Sequence, residues 1–433
     1  MTLKRYALFL AGQLGLMGTV RFFFQWVIDF AHSPPAGLDG PPLFPVALVG
    51  LVLLGFRLFD AATDPLAGLV ADRWAADGHQ RRTLLWFTFF MPAIGLAMVF
   101  APTHAMSPAL RWTLLVTGMF VYFVGYTFFA IPFWSLVEDY AEQSQELRGR
   151  LSTLLGVGTL LATVIAFAVT PLLIDRWGFA AAGLTMAALA LLLMPGGYFA
   201  APRRTIDRPH RTAALPNRAL LKLVFSDRHY LAVLCVFAGS QMAFAIVSAA
   251  APFIAIHLLH GTRADVALIL GPLLAVAIPS FVFTPALSRR WGWERSIVVA
   301  SLGLGALYLA TALLGTVSLV SLTGTAMVLF SLGGPPVAVL LGLEGEAIAT
   351  CAHRHDPRAV SVYFGVYNFT TKTLNGVAIA LTGGLISLSD GAWGVTAIRL
   401  AGPLAGACLL TGVGLYFLFR PQTDQKTSTY QKN

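Results

Sequence analysis

IVVASLGLGALYLATALLGTVSLVSLTGTAMVLFSLGGPPVAVLLGL, residues Ile297–Leu343, runs for 47 residues without a charge. A helix needs about 20 apolar residues to cross the hydrocarbon core of a bilayer. The stretch therefore holds two crossings, with a short turn near Gly315–Ser318. The pattern continues outward on both sides: the charge-free runs Thr83–Leu110, Trp112–Val137, Leu151–Ile174, Trp177–Pro202 and Leu231–Thr262 each hold one helix. Twelve spans are predicted, at 5–31, 42–71, 83–101, 111–138, 151–174, 178–200, 229–258, 266–288, 296–315, 319–350, 359–388 and 396–419. So many runs exceed 18 residues that buried helices of a soluble core are a poor alternative. The expected fold is an all-α integral membrane protein of twelve transmembrane helices.

Composition agrees. Of the 433 residues 57% are apolar and 11% charged, against roughly 25% charged in a soluble domain. A soluble enzyme, a nucleic-acid reader and a disordered chain are excluded. The net charge of +9 belongs instead to cytoplasmic loops, where membrane proteins concentrate Lys and Arg. With both termini inside, twenty-two basic residues fall on the cytoplasmic side and four, Arg111, Arg176, Arg263 and Arg399, on the other. The predicted setting is a bacterial inner membrane. The basic start and apolar run at the N-terminus continue past Phe24 without a small-residue cleavage site, which reads as an uncleaved first helix. The three cysteines, Cys235, Cys351 and Cys408, lie too far apart for a redox or zinc motif.

Residues 201–228, rich in Arg and Pro, read as a cytoplasmic linker between an N-terminal six-helix half (1–200) and a C-terminal one (229–419), with a disordered tail at 420–433. An internal echo supports the division: ADRW (Ala71–Trp74) follows span two and SRRW (Ser288–Trp291) follows span eight. Parallel repeats put such loops at corresponding places.

Three basic residues, Arg21, Arg57 and Lys372, fall inside spans. A charge near the bilayer centre costs about 2.5–3.5 kcal/mol even on the lenient insertion scale, so such residues are commonly functional. Span two reads GFRLFDAATDPLAG (Gly55–Gly68), with Arg57, Asp60, Asp64 and Gly68 spaced by three, four and four. That spacing puts them on one helix face. Two carboxylates one turn apart in a low dielectric cannot both stay ionised without a positive partner. A sodium ion, a shared proton or a lysine would each relieve them. Arg57 and Asp60 also suit a packing ion pair. Lys372, in VYNFTTKTLNG (Val366–Gly376), has no acid near it in sequence, which makes Asp60 or Asp64 its expected partner.

RLFDAATDPLAGLVADR (Arg57–Arg73), YTFFAIPFWSL (Tyr126–Leu136) and RAVSVYFGVYNFTTK (Arg358–Lys372) resemble the second, fourth and eleventh helices of the glycoside–pentoside–hexuronide:cation symporters, the melibiose-permease-like branch of the major facilitator superfamily. Gly68, Asp72 and Arg73, with Arg81 and Arg82, resemble the superfamily's loop motif between helices two and three, a gating element. The resemblance implies secondary transport by alternating access, coupled to sodium or protons, with no further cofactor and a monomeric chain. It assigns the cation to Asp60 and Asp64, completed by Thr127 and by Thr63. It gives Lys372, with Tyr367 and Asn368 beside it, a coupling or substrate role, and implies substrate contacts at Tyr126, Trp134 and, ahead of Arg148, at Arg150.

The departures concern the substrate. An acidic residue of helix four in that branch is Ala130 here, and the first span carries Arg21, with Asp29 near its outer end, in place of an acid. Sugar hydroxyls need directional acceptors, so an anionic, aromatic or amphipathic substrate becomes an alternative to a neutral glycoside. The partner is accordingly a small organic solute or, as in lysolipid symporters, an amphipathic lipid; a pigment-assembly role in the same superfamily is a further alternative. Phe22, Phe23, Phe24 and Trp26 read as lipid-facing or core residues and His257 and His260 as interfacial. Glu344 and Glu346 read as an inner ion-pair gate with arginines or as solvated helix ends. No hydrolase nucleophile motif or nucleotide-binding loop is present in the sequence.

Overall fold

The structure is a computed structural model describing residues 1–34, 40–76, 79–141, 145–201, 222, 224–317, 321–355 and 360–420. The regular elements among them are all helical, as a backbone must be where water cannot satisfy it. In chain order they are α1 (Leu3–His32), α2 (Val46–Ala76), α3 (Arg81–Thr88), α4 (Phe90–Phe100), α5 (Pro108–Ala141), α6 (Gln145–Val164), α7 (Thr170–Leu193) and α8 (Pro195–Ala200). After the segment 202–221 come α9 (Arg228–Phe253), α10 (Val266–Ser280), α11 (Thr284–Trp291), α12 (Trp293–Ala310), α13 (Leu322–Leu332), α14 (Gly334–His355), α15 (Val360–Ser389), α16 (Gly394–Arg399) and α17 (Ala401–Phe419). Most of the predicted linker and the tail beyond Arg420 lie outside the described residues.

Ten stretches are long and apolar enough to cross a bilayer. The one over Arg150–Ala200 has 51 residues and breaks at Gly178, whose φ of +78° interrupts the helix. Helix α15, with 30 residues and a length of ~45 Å, carries Asn368, Lys372 and Asn375 and is not among the ten. The division at Gly178 and α15 account for the difference from the expected twelve.

Helices α1–α8 pack largely on one another, with α4 along α5 and α7, and α1 against α6, α7 and α8. Helices α9–α17 do likewise, with α17 against α9 and α12, and α10 against α13 and α14. The two sets meet chiefly where α2 lies along α15, and also where α1 meets α9. Call the end of the bundle where α1 begins the near end and the other the far end. Among the described residues the polar contacts joining the sets run from the level of Lys372 to the far end.

One of these contacts follows directly from sequence. Proline has no N–H and cannot bond the carbonyl four residues back. Pro252 in α9 therefore frees the carbonyl of Ser248, which accepts a hydrogen bond from Nε2 of Gln25 on α1 at 2.7 Å. The helix then widens into a π-turn over Ile254–Leu258. Further out, Arg263 pairs with Asp29 and His32 with Asp390. Phe22, Phe23 and Trp26 are wholly buried in the core; Trp26 also donates through Nε1 to Oγ1 of Thr170 at 2.7 Å.

Candidate functional site

Helix α2 turns Arg57, Asp60 and Asp64 toward α15 and α5. Helix α15 can come close because glycines stand at the crossing. A Cβ on Gly376 would lie 2.9 Å from Cβ of Arg57, one on Gly383 3.0 Å from the carbonyl oxygen of Val46, and one on Gly50 3.0 Å from Cα of Ala380. One turn from Gly376 stands Lys372, whose Nζ lies 2.5 Å from Oδ2 of Asp64 and 3.2 Å from Oδ2 of Asp60. Nη1 of Arg57 reaches the same Asp60 oxygen at 2.8 Å. From α5, Thr127 donates its hydroxyl to Oδ1 of Asp60 at 2.7 Å. Aromatic faces hold both cations: Lys372 Nζ is 5.3 Å from the Tyr126 ring centroid, and the Arg57 guanidinium 4.6 Å from that of Phe24.

The cluster holds two carboxylates and two cations, and its charges cancel. Asp60 is fully buried, and both its oxygens are satisfied. Asp64 differs: its side chain is 18% exposed, and Oδ1 is a buried acceptor without a partner among the described residues. Its Oδ2 is held by Lys372, a point charge on a flexible stem. If Lys372 swung away, the site would be left with one net negative charge, lined by carboxylate and hydroxyl oxygens. Oxygen donors of that kind suit a hard cation. The arrangement can therefore exchange the lysine ammonium for one monovalent cation.

Six of the sequence-derived residues are thus brought together: Asp60, Asp64, Thr127, Lys372, Arg57 and Tyr126. Thr63 is not joined to the carboxylates, since its hydroxyl donates to the backbone oxygen of Asp60 at 3.1 Å. Trp134 lies along α5 from Tyr126, with ring centroids 6.4 Å apart, and its Nε1 donates to Oε1 of Gln13 at 3.1 Å. Arg150 is outside the cluster. It is exposed and pairs with Glu146 four residues earlier at 2.5 Å, a local helix-surface contact, so a substrate contact at Arg150 finds no support in this arrangement. Asn368 is exposed. Tyr367 is buried and donates to Oε1 of Glu344. Of the loop motif, Gly68 has open space where a Cβ would stand, Arg73 is exposed, and the side chain of Asp72 lies outside the described residues. Arg21 is exposed midway along α1.

Among the described residues no arginine pairs with Glu344. Its oxygens accept from Tyr367 and, at 3.1 Å, from Nε2 of Gln241 on α9, while Glu346 is exposed. His257 is half-buried and stacks on Phe253 at 6.5 Å. Sequence reasoning missed Gln13, which also donates to Oγ1 of Thr159 at 2.9 Å, and Gln25 and Gln241. A signal existed: each is a side-chain amide inside an apolar span, where an unsatisfied polar group is costly.

The sequence profile of the family described as MFS/sugar transport protein matches residues 44–398. No curated protein sequence matches the chain. Several solved transporters share its fold. A bacterial homologue of the human lysosomal transporter Spinster, in an inward-facing and occupied conformation, is 15% identical with a TM-score of 0.67, covering 96% of each chain. The POT family transporter PepTSo is 10% identical with a TM-score of 0.68, covering 97% of this chain and 99% of that one. A point mutant of the nucleoside transporter NupG is 12% identical with a TM-score of 0.66, covering 95% of this chain and 100% of that one.

Proposed function

The chain belongs to the MFS/sugar transport protein family, and from that premise we propose that it is a cation-coupled symporter of a small organic solute. It is a multi-pass membrane transporter and not an enzyme. The observation that carries the coupling is the shared hold of Lys372 on Asp60 and Asp64, with Oδ1 of Asp64 without a partner among the described residues. In the cation-free state the lysine neutralises the pair. A sodium ion or a proton takes its place, and Lys372 is released toward the gap between the two sets of helices. Solute binding and cation binding then strengthen each other by the same factor.

The distribution of basic loops puts both termini in the cytoplasm. In that orientation the far end, where α1 meets α9 and Arg263 pairs with Asp29, faces outward. Transport follows as the two helix sets rock about the cluster. The test is uptake by the full chain in proteoliposomes, screened with glycosides and organic anions under an imposed sodium or pH gradient. Accumulation should follow one of the two gradients and vanish in Asp64→Asn with the fold intact. Accumulation that ignores both gradients, or that survives in Asp64→Asn, overturns the proposal.

A further inference from the structure

Arg82, in the first turn of α3, is a charge that the cation cluster does not use. Its guanidinium lies 5.2 Å from the ring centroid of Tyr198 on α8. An aromatic face holds an arginine by its plane and leaves the in-plane N–H donors to others. Among the described residues no acceptor meets those donors, and Nε is buried without a partner. A donor left in that state costs free energy, so the arrangement calls for an acceptor from outside the chain.

The surroundings say where that acceptor comes from. Helix α3 packs on α2, α4, α5 and α8, and α8 packs on α1, α3 and α7. All belong to the first helix set, so the exposed face of the pair points to lipid and not into the gap between the sets. Arg82 stands at the near end, where α2 gives way to α3 and α8 ends. Trp86, Phe90 and Ile94 follow it at four-residue steps and are exposed. Rows of that spacing form one slanting ridge on a helix. Phe89, between α3 and α4, keeps helical angles (φ −58°, ψ −31°), so the ridge runs on, and Phe90 lies ~12 Å deeper than Arg82. The Trp86 ring is 5.1 Å from that of Tyr198 and 6.3 Å from that of Phe199, which is also exposed. A guanidinium thus stands over an aromatic wall at the membrane edge, the depth at which Trp and Tyr concentrate.

We infer that this face binds one anionic phospholipid of the leaflet at the near end, the inner leaflet in the orientation proposed above. The phosphate oxygens accept from the Arg82 guanidinium, whose planar fork matches them. One acyl chain descends along Trp86, Phe90 and Ile94, with Phe199 on its flank, so the lipid bridges α3 and α8. Among the described residues no carboxylate touches Arg82, and the ammonium of a zwitterionic headgroup finds no counter-charge beside it. The site therefore favours a headgroup that carries the phosphate charge alone.

The test is native mass spectrometry of the purified full chain in detergent, titrated with phosphatidylglycerol, phosphatidylethanolamine and phosphatidylcholine of identical acyl chains. The first phosphatidylglycerol should bind at a concentration tenfold or more below that needed by either zwitterionic lipid. Arg82→Gln should abolish this preference. Tyr198→Leu, which removes the platform and keeps the arginine, should reduce it threefold or more. Arg290→Gln, which removes an exposed charge of the second set at the same end, should leave it as in the parent. The preference is a ratio read within one variant, so a general loss of stability cancels, and Tyr198→Leu carries the test should Arg82→Gln not fold. An excess of sn-glycerol 1-phosphate, the headgroup phosphate without the chains, should not displace the lipid. The inference is overturned by equal binding of the three lipids or by a preference that survives both Arg82→Gln and Tyr198→Leu. An equal loss in Arg290→Gln, or displacement by sn-glycerol 1-phosphate, overturns it as well.

Discussion

Arg263 grips Asp29 through two hydrogen bonds, Nε to Oδ2 at 2.7 Å and Nη2 to Oδ1 at 3.1 Å, joining the turn before α10 to the end of α1. Asp29 is buried, the Arg263 side chain is 27% exposed, and the guanidinium also lies 5.1 Å from the Phe179 ring centroid. With the Gln25–Ser248 bond this is a latch on the far end.

Removing one partner of a fully buried pair costs about 3–5 kcal/mol. The exposure of Arg263 reduces this to on the order of 1–2 kcal/mol, roughly tenfold in the ratio of closed to open far ends. Arg263→Gln should therefore speed maleimide labelling of Ser248→Cys from the far side, in a background with Cys235, Cys351 and Cys408 changed to serine. Gln25 bonds the Ser248 backbone, so the reporter leaves the latch in place. Unchanged labelling would mean that the pair does not hold the far end shut.

Gly376 sets how close α15 comes to α2. A methyl there would meet Cβ of Arg57 at 2.9 Å and Cδ1 of Leu54 at 3.1 Å. Overpacking of that kind costs about 1–3 kcal/mol, and it displaces the stem of the arginine that holds Asp60. Gly376→Ala should lower the melting temperature and weaken cation binding. Gly384→Ala, on the same helix with nothing within 4 Å of the new methyl, should do neither. Equal behaviour of the two variants would remove the close crossing as the support of the site.

How much of this was legible before the structure depends on whether a relationship is local. The face shared by Arg57, Asp60 and Asp64 follows from their spacing. The Lys372 partnership follows from elimination, because an unpaired lysine in a span demands a distant acid; the structure gives it both acids. The glycines that let it reach them carry no such signal, since a glycine's role depends on what crosses it. Glu344 has no sequence neighbour that announces Gln241 or Tyr367, so its position near a helix end suggested a gate with arginines. Arg150 shows the converse: its pairing with Glu146 is local and readable from four-residue spacing.

Lys372 and Asp64 should behave as one unit. Lys372→Ala leaves two carboxylates with only Arg57, an uncompensated charge in a span. Asp64→Asn removes that excess. The double variant should therefore melt at a higher temperature than the sum of the two single losses predicts, with a coupling of about 1–3 kcal/mol, as found for residues in one network. Strict additivity, with each single variant folded, would mean that the contact at 2.5 Å contributes nothing to the balance of charge.

Substitutions at Thr127 separate sodium from protons as the proposed coupling ion. Its hydroxyl donates to Oδ1 of Asp60 at 2.7 Å, and the side chain is wholly buried. Thr127→Val keeps the shape and removes the oxygen; Thr127→Ser keeps the oxygen and removes a methyl. A hydrogen bond to a charged group is worth about 1.5–3 kcal/mol, so Val should destabilise the cation-free protein by that order and Ser by less. The cation-bound state separates the ions. Sodium needs oxygen ligands, and Val would take one from a small set, so sodium affinity should fall tenfold or more while Ser stays near the parent. A proton binds to a carboxylate oxygen and needs no hydroxyl ligand. With protons as the coupling ion, Thr127→Val should still accumulate solute under a pH gradient. Calorimetric titration with NaCl against choline chloride, run beside uptake under each gradient, reads both outcomes. A parent that binds sodium and accumulates solute under a sodium gradient, with Thr127→Val indistinguishable from it in both, would exclude Thr127 from the cation site.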